Sequence, residues 1–539
     1  MSIKSLNSGI KLDHGIFKGF LLCLFSTVYL YPFIRVFWRF GDEGIFVYGA
    51  QLVAEGALPY RDFFEVAGPA SFYWLGLFFR IFGENWLVTR GLILITATIS
   101  IILIYWITRR LYRGPFDYIP AIFYMLISFH ARPVTSHHWD SNLFGLLAIV
   151  MFFLWNHTRY KRYLIMAGII AGLTSCFMQQ KGLLLFFAFI IILIINGRLA
   201  CEEKRKVMVD IGIMTIAFAS VAILVLSLFY MVGGLNDLLY ANLIFPLNNY
   251  MKINVMPYGY GIWEWLLPPI QKVLEVIGLP PFLSHGLGIL ILIPFFIIFA
   301  LPLLLIVLAA KLYLNLTDRP KIFKSSMIIC SSTGVALWIS EVHRMDLIHL
   351  IYGSPVLVIL LFALWNICFE EKRVTYQLGL IIAIIPLTFL ATFYLNIALA
   401  AKQEYVTRRG TVYTFQEDTA LKFLHENIQA GSMVFIYPYR SMYYFLANIR
   451  NPTRYSFLLY NYNTEAQFNE TITALERKRV KYVLLDTLLD ETYLKKIFPK
   501  YVHPPDEKLV VEKYLQKHYR ELEVRYGFRI LERIEDLGD

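Results

Sequence analysis

The chain has 539 residues, of which 58% are hydrophobic and 16% aromatic, with a formal charge of +11. A mean hydropathy of +0.56 sets it apart from soluble domains, which are only about 45–50% apolar. The basic excess does not read as a nucleic-acid surface, because Lys and Arg cluster in short loops between long apolar runs.

A helix that crosses a membrane needs roughly 17–25 apolar residues. By that measure the chain predicts about eleven spans, at 16–36, 90–108, 116–131, 142–156, 162–178, 182–197, 207–231, 286–310, 324–340, 347–368 and 376–398. The first run is long and has no small-residue cleavage site, so it reads as a retained span rather than a cleaved signal. Alternate gaps are basic. They hold Arg109, Arg110 and Arg113; Arg159, Lys161 and Arg162; Arg198, Lys204, Arg205 and Lys206; Lys311, Arg319, Lys321 and Lys324; and Lys372 with Arg373. With Lys4, Lys11 and Lys18 at the start, the positive-inside rule puts the N-terminus in the cytoplasm and everything after about residue 399 outside. A plasma (inner) membrane location is expected. The five cysteines, Cys23, Cys176, Cys201, Cys330 and Cys368, lie in or beside spans. They suggest neither a disulfide framework nor a metal site.

The gap after the first span, residues 37–89, is the most informative segment. It carries Asp42, Glu43, Glu55, Asp62 and Glu65 among many aromatics. Two adjacent carboxylates at a membrane edge suit a catalytic loop better than a connector. Three further outer gaps add both acids and bases. HARPVTSHHWDSN holds His130, His137, His138 and Asp140; MQQKGLL holds Gln179, Gln180 and Lys181; SEVHRMDLIHL holds Glu341, His343, Arg344, Asp346 and His349. Ionisable groups at membrane depth are costly and face a cavity or a partner. A transporter or lipid flippase would place them at mid-bilayer in broken, repeated helices, whereas here they gather on one side. A non-catalytic envelope scaffold would leave them unexplained.

From about residue 402 the composition becomes mixed and charged. Residues 417–428, 464–477 and 506–518 read as amphipathic helices; 432–437, 480–485 and 528–532 read as strands. This predicts a small extracytoplasmic α/β domain over 401–539, without a GxGxxG or P-loop fingerprint. Its expected role is to support the membrane part or to face the acceptor, against the plainer reading of a stabilising cap.

The first loop resembles that of the integral-membrane, GT-C type glycosyltransferases that use polyprenyl-phosphate sugars, a superfamily including the protein O-mannosyltransferases and the lipid A aminoarabinose transferases. The matching residues are Asp42-Glu43, the stretch Gly56 to Asp62, Gly68-Pro69, Tyr73-Trp74, Phe82-Gly83 and Arg90. Asp140, the Lys181-Gly182 pair, and Arg344, Asp346 and His349 stand where relatives carry comparable residues. The Lys-Pro-Pro-Leu form of the loop is replaced by Ala67-Gly68-Pro69-Ala70, so the subfamily and its sugar do not follow. The resemblance implies a catalytic membrane domain over 1–400, a polyprenyl-phosphate-linked sugar donor, an extracytoplasmic acceptor and an inverting transfer within the lipid bilayer. A carboxylate near the acceptor hydroxyl can act as general base; Asp42 is the candidate and Glu43 its catalytic rival, Glu43 or Asp140 would position the acceptor or sugar hydroxyls, and His138 is a further substrate-binding candidate. Lys181, Arg344 and His349 would bind the donor phosphate, with Asp346 beside them. No cofactor is expected, and a divalent metal is not indicated.

Overall fold

A backbone in hydrocarbon must satisfy its own N–H and C=O groups, so the apolar runs of the first 400 residues can cross only as helices. The computed structural model describes residues 14–39, 41–114, 116–130, 132–199, 201–313, 320–369 and 373–534. Lys4, Lys11, Arg319 and Lys372 of the basic set fall outside the described residues. Among the described residues, seven helices are long and apolar enough to span: His14–Arg35, Trp86–Leu111, His137–Thr158, Gln179–Leu199, Lys204–Met231, Lys321–Ile339 and Gln377–Ala400. Two bent pairs bring the number to nine: Pro281–Ile291 with Ile293–Phe299, bent by 52°, and Leu347–Gly353 with Pro355–Phe369, bent by 71°. The breaks fall next to Pro294 and Pro355. A proline removes a backbone donor and collides with the preceding turn.

Eleven spans were expected, and two of the expected segments form helices shorter than these. Residues 116–131 yield only the 9-residue helix Ile119–Ile127, about 13 Å long at 1.5 Å per residue. Residues 162–178 yield the 17-residue helix Lys161–Phe177, roughly 25 Å long and at the lower limit of span length.

The loop between the first two long helices folds into two helices of its own, Gly41–Ala54 and Ala70–Phe82. Asn85 then caps Trp86–Leu111, its side chain accepting from the Leu87 N–H at 2.7 Å.

All six C-terminal elements read from the sequence are present, as helices Thr419–Asn427, Glu465–Arg477 and Val510–His518 and strands Val434–Tyr437, Tyr482–Asp486 and Phe528–Arg533. A hairpin of β1 (Gln403–Thr407) and β2 (Gly410–Thr414) precedes them. The main sheet has the order β3-β4-β6-β5, where β3 is Val434–Tyr437, β4 Tyr482–Asp486, β5 Tyr519–Arg525 and β6 Phe528–Arg533. Strands β3 and β4 run parallel and the other two pairings are antiparallel.

This region does not hang free. One buried cluster joins Val47, Leu75 and Trp86 of the membrane part to Leu424, Ile436, Phe445 and Ile530. The short helix Met442–Leu446 lies against Gly41–Ala54. Glycines allow the approach. A Cβ on Gly41 would come within 2.2 Å of the Tyr439 ring, and one on Gly44 within 2.1 Å of the Met442 backbone nitrogen. Spaced one helical turn apart, the two form a bare strip on which residues 439–442 rest.

Candidate active site

A cavity of about 400 Å³ opens where the loops at one end of the spans meet the C-terminal region. Its walls come from six stretches of chain: 42–67, 132–138, 177–180, 242–254, 343–352 and 439–498. Only three of the expected ligand-facing residues besides Asp42 line it, namely His138, Arg344 and His349.

Asp42 sits in the first turn of Gly41–Ala54. Its side chain is 52% exposed. Arg132 donates to one carboxylate oxygen and the Tyr439 hydroxyl to the other. The base candidate is therefore oriented from two sides while still open to the cavity.

Glu43, one residue on, points the other way. It is fully buried and pairs with Arg90 Nη2 at 2.8 Å. Its other oxygen accepts from the Thr135 backbone at 3.2 Å. Arg90 also donates to the carbonyls of Pro133 at 2.6 Å and Val36 at 3.3 Å. The pair ties the first loop to the second long helix and to the 132–135 loop, and Glu43 is not on the cavity wall. Consecutive helical residues point about 100° apart, which is why adjacent carboxylates meet such different surroundings.

On the opposite wall, Arg344 Nε donates to Asp346 Oδ2 at 2.7 Å and Nη1 to Asn254 Oδ1 at 3.0 Å. The guanidinium lies 5.4 Å from the Phe498 ring centroid. Its Nη2 has no protein partner among the described residues. His349 Nδ1 lies 2.7 Å from Asp346 Oδ1, leaving Nε2 as the ring's other polar edge. Asp346 caps the helix Leu347–Gly353, accepting from the His349 N–H at 3.1 Å. Burial alone would raise the Asp346 carboxyl. The charges of His349 and Arg344, with their hydrogen bonds, hold it well below the usual carboxylate range. Asp346 is thus a fixed anion that aims Arg344 and His349 and is not itself on the wall.

Lys181 is placed differently from its expected role. It is fully buried, with Nζ 2.8 Å from Glu341 Oε1, 2.7 Å from Asn142 Oδ1 and 3.2 Å from Ser141 Oγ. All three of its donors are taken, and it does not line the cavity. Asp140 is also buried and away from the wall. His138 does line the cavity. Its ring stacks on Tyr352 with centroids 4.4 Å apart and lies 3.3 Å from Glu341. His138, Glu341 and His349 offer ligand atoms within 4.8 Å of one another. The Lys181 ammonium already lies against that carboxylate, and its charge opposes a second cation there.

Four wall residues come from the C-terminal region: Tyr439, Phe457, Tyr462 and Phe498. No motif marks them, and they lie some 400 positions from Asp42. Glu65 also lines the cavity, as do Gln180 and His343 from the outer gaps. Burial depresses the His343 imidazole to about 4.

Residues 66–225 match the family profile described as dolichyl-phosphate-mannose-protein mannosyltransferase. The matched segment is less than a third of the chain. It contains Arg90, Arg132 and Lys181 and leaves Asp42, Glu65 and Arg344 outside. No curated protein matches the chain by sequence. Among solved structures, the archaeal oligosaccharyltransferase AglB from Archaeoglobus fulgidus, in complex with an inhibitory peptide and a dolichol-phosphate, superposes with a TM-score of 0.53 at 13% identity, over 97% of this chain and 75% of that one. The same enzyme tethered to an acceptor peptide gives a TM-score of 0.53 at 14% identity, covering 94% and 72% of the two chains. ArnT from Cupriavidus metallidurans, bound to undecaprenyl phosphate, gives a TM-score of 0.49 at 10% identity over 98% of both chains. The apolar helices, the shared fold and the matched segment make this a multi-pass membrane protein similar to the GT-C glycosyltransferases that use polyprenyl-phosphate donors, as its first loop suggested.

Proposed function

We propose that the protein transfers a sugar from a polyprenyl-phosphate donor to a hydroxyl-bearing acceptor on the outer face of the plasma membrane, inverting the anomeric centre. One observation carries this: a single cavity at the ends of the spans holds a half-exposed carboxylate, Asp42, and two hydrogen-bond donors, Arg344 and His349, fixed by a common anion. Asp42 takes the proton of the acceptor hydroxyl as its oxygen bonds to the anomeric carbon. The bond from that carbon to the phosphate oxygen breaks, and the electron pair leaves with the phosphate. Arg344 offers its partnerless Nη2 to the developing charge and His349 its Nε2 edge. Direct displacement inverts the centre, by the geometry that governs inverting glycosidases.

The chain divides by role. Residues 1–400 hold the donor and the base, with the loop 37–89 carrying Asp42. Residues 401–539 roof the cavity with Tyr439, Phe457, Tyr462 and Phe498 and face the acceptor. His138 contacts the sugar or the acceptor. Glu43, Asp140 and Lys181 hold the frame. No metal is needed in this scheme, because Lys181 already neutralises the negative charge that Glu341 would otherwise offer to an ion.

The test is reconstitution in vesicles with a panel of polyprenyl-phosphate sugars, measuring release of free polyprenyl phosphate. Release by the wild type and its loss in Asp42→Asn support the reading. Lipid movement across the bilayer without release would establish a transporter instead. Cysteines placed near residues 110, 160 and 320 should label only from the cytoplasmic side, and labelling from outside would overturn the assigned orientation.

A further inference from the structure

Glu65 is the one acidic wall residue besides Asp42 among the described residues. It is 8% exposed, and its Oε1 is buried with no hydrogen-bond partner. No cation pairs with it among the described residues. A buried polar oxygen without a partner costs free energy, and native structures rarely keep one without a use for it.

The segment that carries it is held firmly. The Phe64 N–H donates to the Arg454 carbonyl at 2.7 Å. The Tyr60 hydroxyl donates to the Ala67 carbonyl, also at 2.7 Å. The backbone is therefore pinned on both sides, and the side chain is not idle because its loop wanders. Burial first, and the Asp42 charge second, push the Glu65 carboxyl well above the usual range. Two acids in one small cavity do not both ionise readily. A neutral carboxyl offers one donor and one acceptor, which is the complement of an alcohol.

Resting on the glycosyl-transfer reading, we propose that Glu65, as a neutral carboxylic acid, hydrogen-bonds a hydroxyl of the substrate and selects for it. The hydroxyl belongs to the transferred sugar or to the acceptor, and kinetics separates the two.

The experiment uses the full chain in detergent or vesicles, with Glu65→Gln and Glu65→Ala. Gln keeps a neutral donor and acceptor of nearly the same shape, so it should stay within about threefold of wild-type kcat/KM. Ala should raise one KM by about tenfold to a hundredfold with little change in kcat, the range expected when a polar group loses its partner. A rise in donor KM assigns the hydroxyl to the sugar, and a rise in acceptor KM assigns it to the acceptor. Undecaprenyl phosphate carries the phosphate and no sugar, so both variants should bind it as the wild type does.

Three results overturn the proposal: both KM values unchanged in the Ala variant, equal impairment by Gln and Ala, or loss of undecaprenyl phosphate binding. The first removes any substrate contact, the second requires an ionised carboxylate, and the third makes Glu65 structural. If the wild type releases no polyprenyl phosphate from any donor, the glycosyl-transfer reading fails and this inference falls with it. A wild type that works beside an unaffected Ala variant sinks this inference alone.

Discussion

Two sets of charged residues lie close together at the end of the spans that meets the C-terminal region and have opposite characters. In the set built on Lys181 and Glu341, the ammonium meets three oxygens, Glu341, Asn142 and Ser141, and none of these groups reaches the cavity. In the set built on Asp42, Arg344 and His349, each group is held by protein and still keeps hydrogen-bonding capacity towards the cavity. The Lys181 ammonium has its three partners, whereas Arg344 keeps one nitrogen without a protein partner among the described residues. A charge whose partners are all supplied by the protein has nothing left to offer a substrate. A charge held firmly but incompletely can complete itself on one.

The largest expected effect breaks the incomplete set. Asp42→Asn keeps the shape, the Arg132 and Tyr439 contacts and the fold, but removes the basic pair. Turnover should fall by about 10²–10⁴-fold, the usual worth of a positioned base, with donor binding retained. Glu43→Gln is its control. That change strikes the Arg90 pair, so it should lower thermal stability and leave the chemistry per folded molecule near normal. A reversed result would exchange the two carboxylates.

Next comes the complete set. Lys181→Met strands the Glu341 carboxylate, and breaking one side of a buried pair costs about 3–5 kcal/mol. Thermal unfolding should reveal the loss, and Lys181→Met with Glu341→Leu should recover part of it, because two apolar groups strand no charge. Intact stability with a weakened donor KM would instead place Lys181 on the phosphate.

Arg344→Ala follows. A hydrogen bond to a charged group contributes about 1.5–3 kcal/mol, so donor KM should rise roughly tenfold to a hundredfold. Lys should restore it only in part, having a point charge in place of a planar fork. Equal donor affinity in all three proteins would remove Arg344 from the phosphate site.

The smallest effect sharpens the comparison. Tyr439→Phe deletes one hydrogen bond to Asp42 and nothing else. At about 0.5–1.5 kcal/mol it should reduce kcat roughly two- to tenfold at unchanged donor KM. A change in donor KM alone would mean that Tyr439 touches the donor and does not steer the base.

Much of this was legible in the sequence, and what was hidden has a physical pattern. Spans show through because lipid demands long apolar runs, and the six C-terminal elements show through their periodicity. Asp42 was legible as a carboxylate at a span end. Which of Asp42 and Glu43 faces the cavity was not, because that depends on the helix rotation fixed by Arg90. The burial of Lys181 was hidden for a related reason. A lysine at the outer end of a span looks available until its partner, 160 residues away in Glu341, is seen. The same limit hid Tyr439 and Phe498, since contacts across the whole chain leave no local spacing to read. Residues 116–131 looked like a span by composition and fold into a helix of nine residues.

The bare strip of Gly41 and Gly44 has a consequence for anyone who would recombine such proteins. Residues 439–442 rest on backbone at these two points, and no side chain, however small, fits between them. A chimaera that keeps these spans but takes its C-terminal region from a relative must match that contour to within a methyl group. Otherwise the roof lifts, Asp42 loses its Tyr439 brace, and Arg344 loses the Phe498 ring that covers it. Donor site and base would then fail together, though neither had been altered.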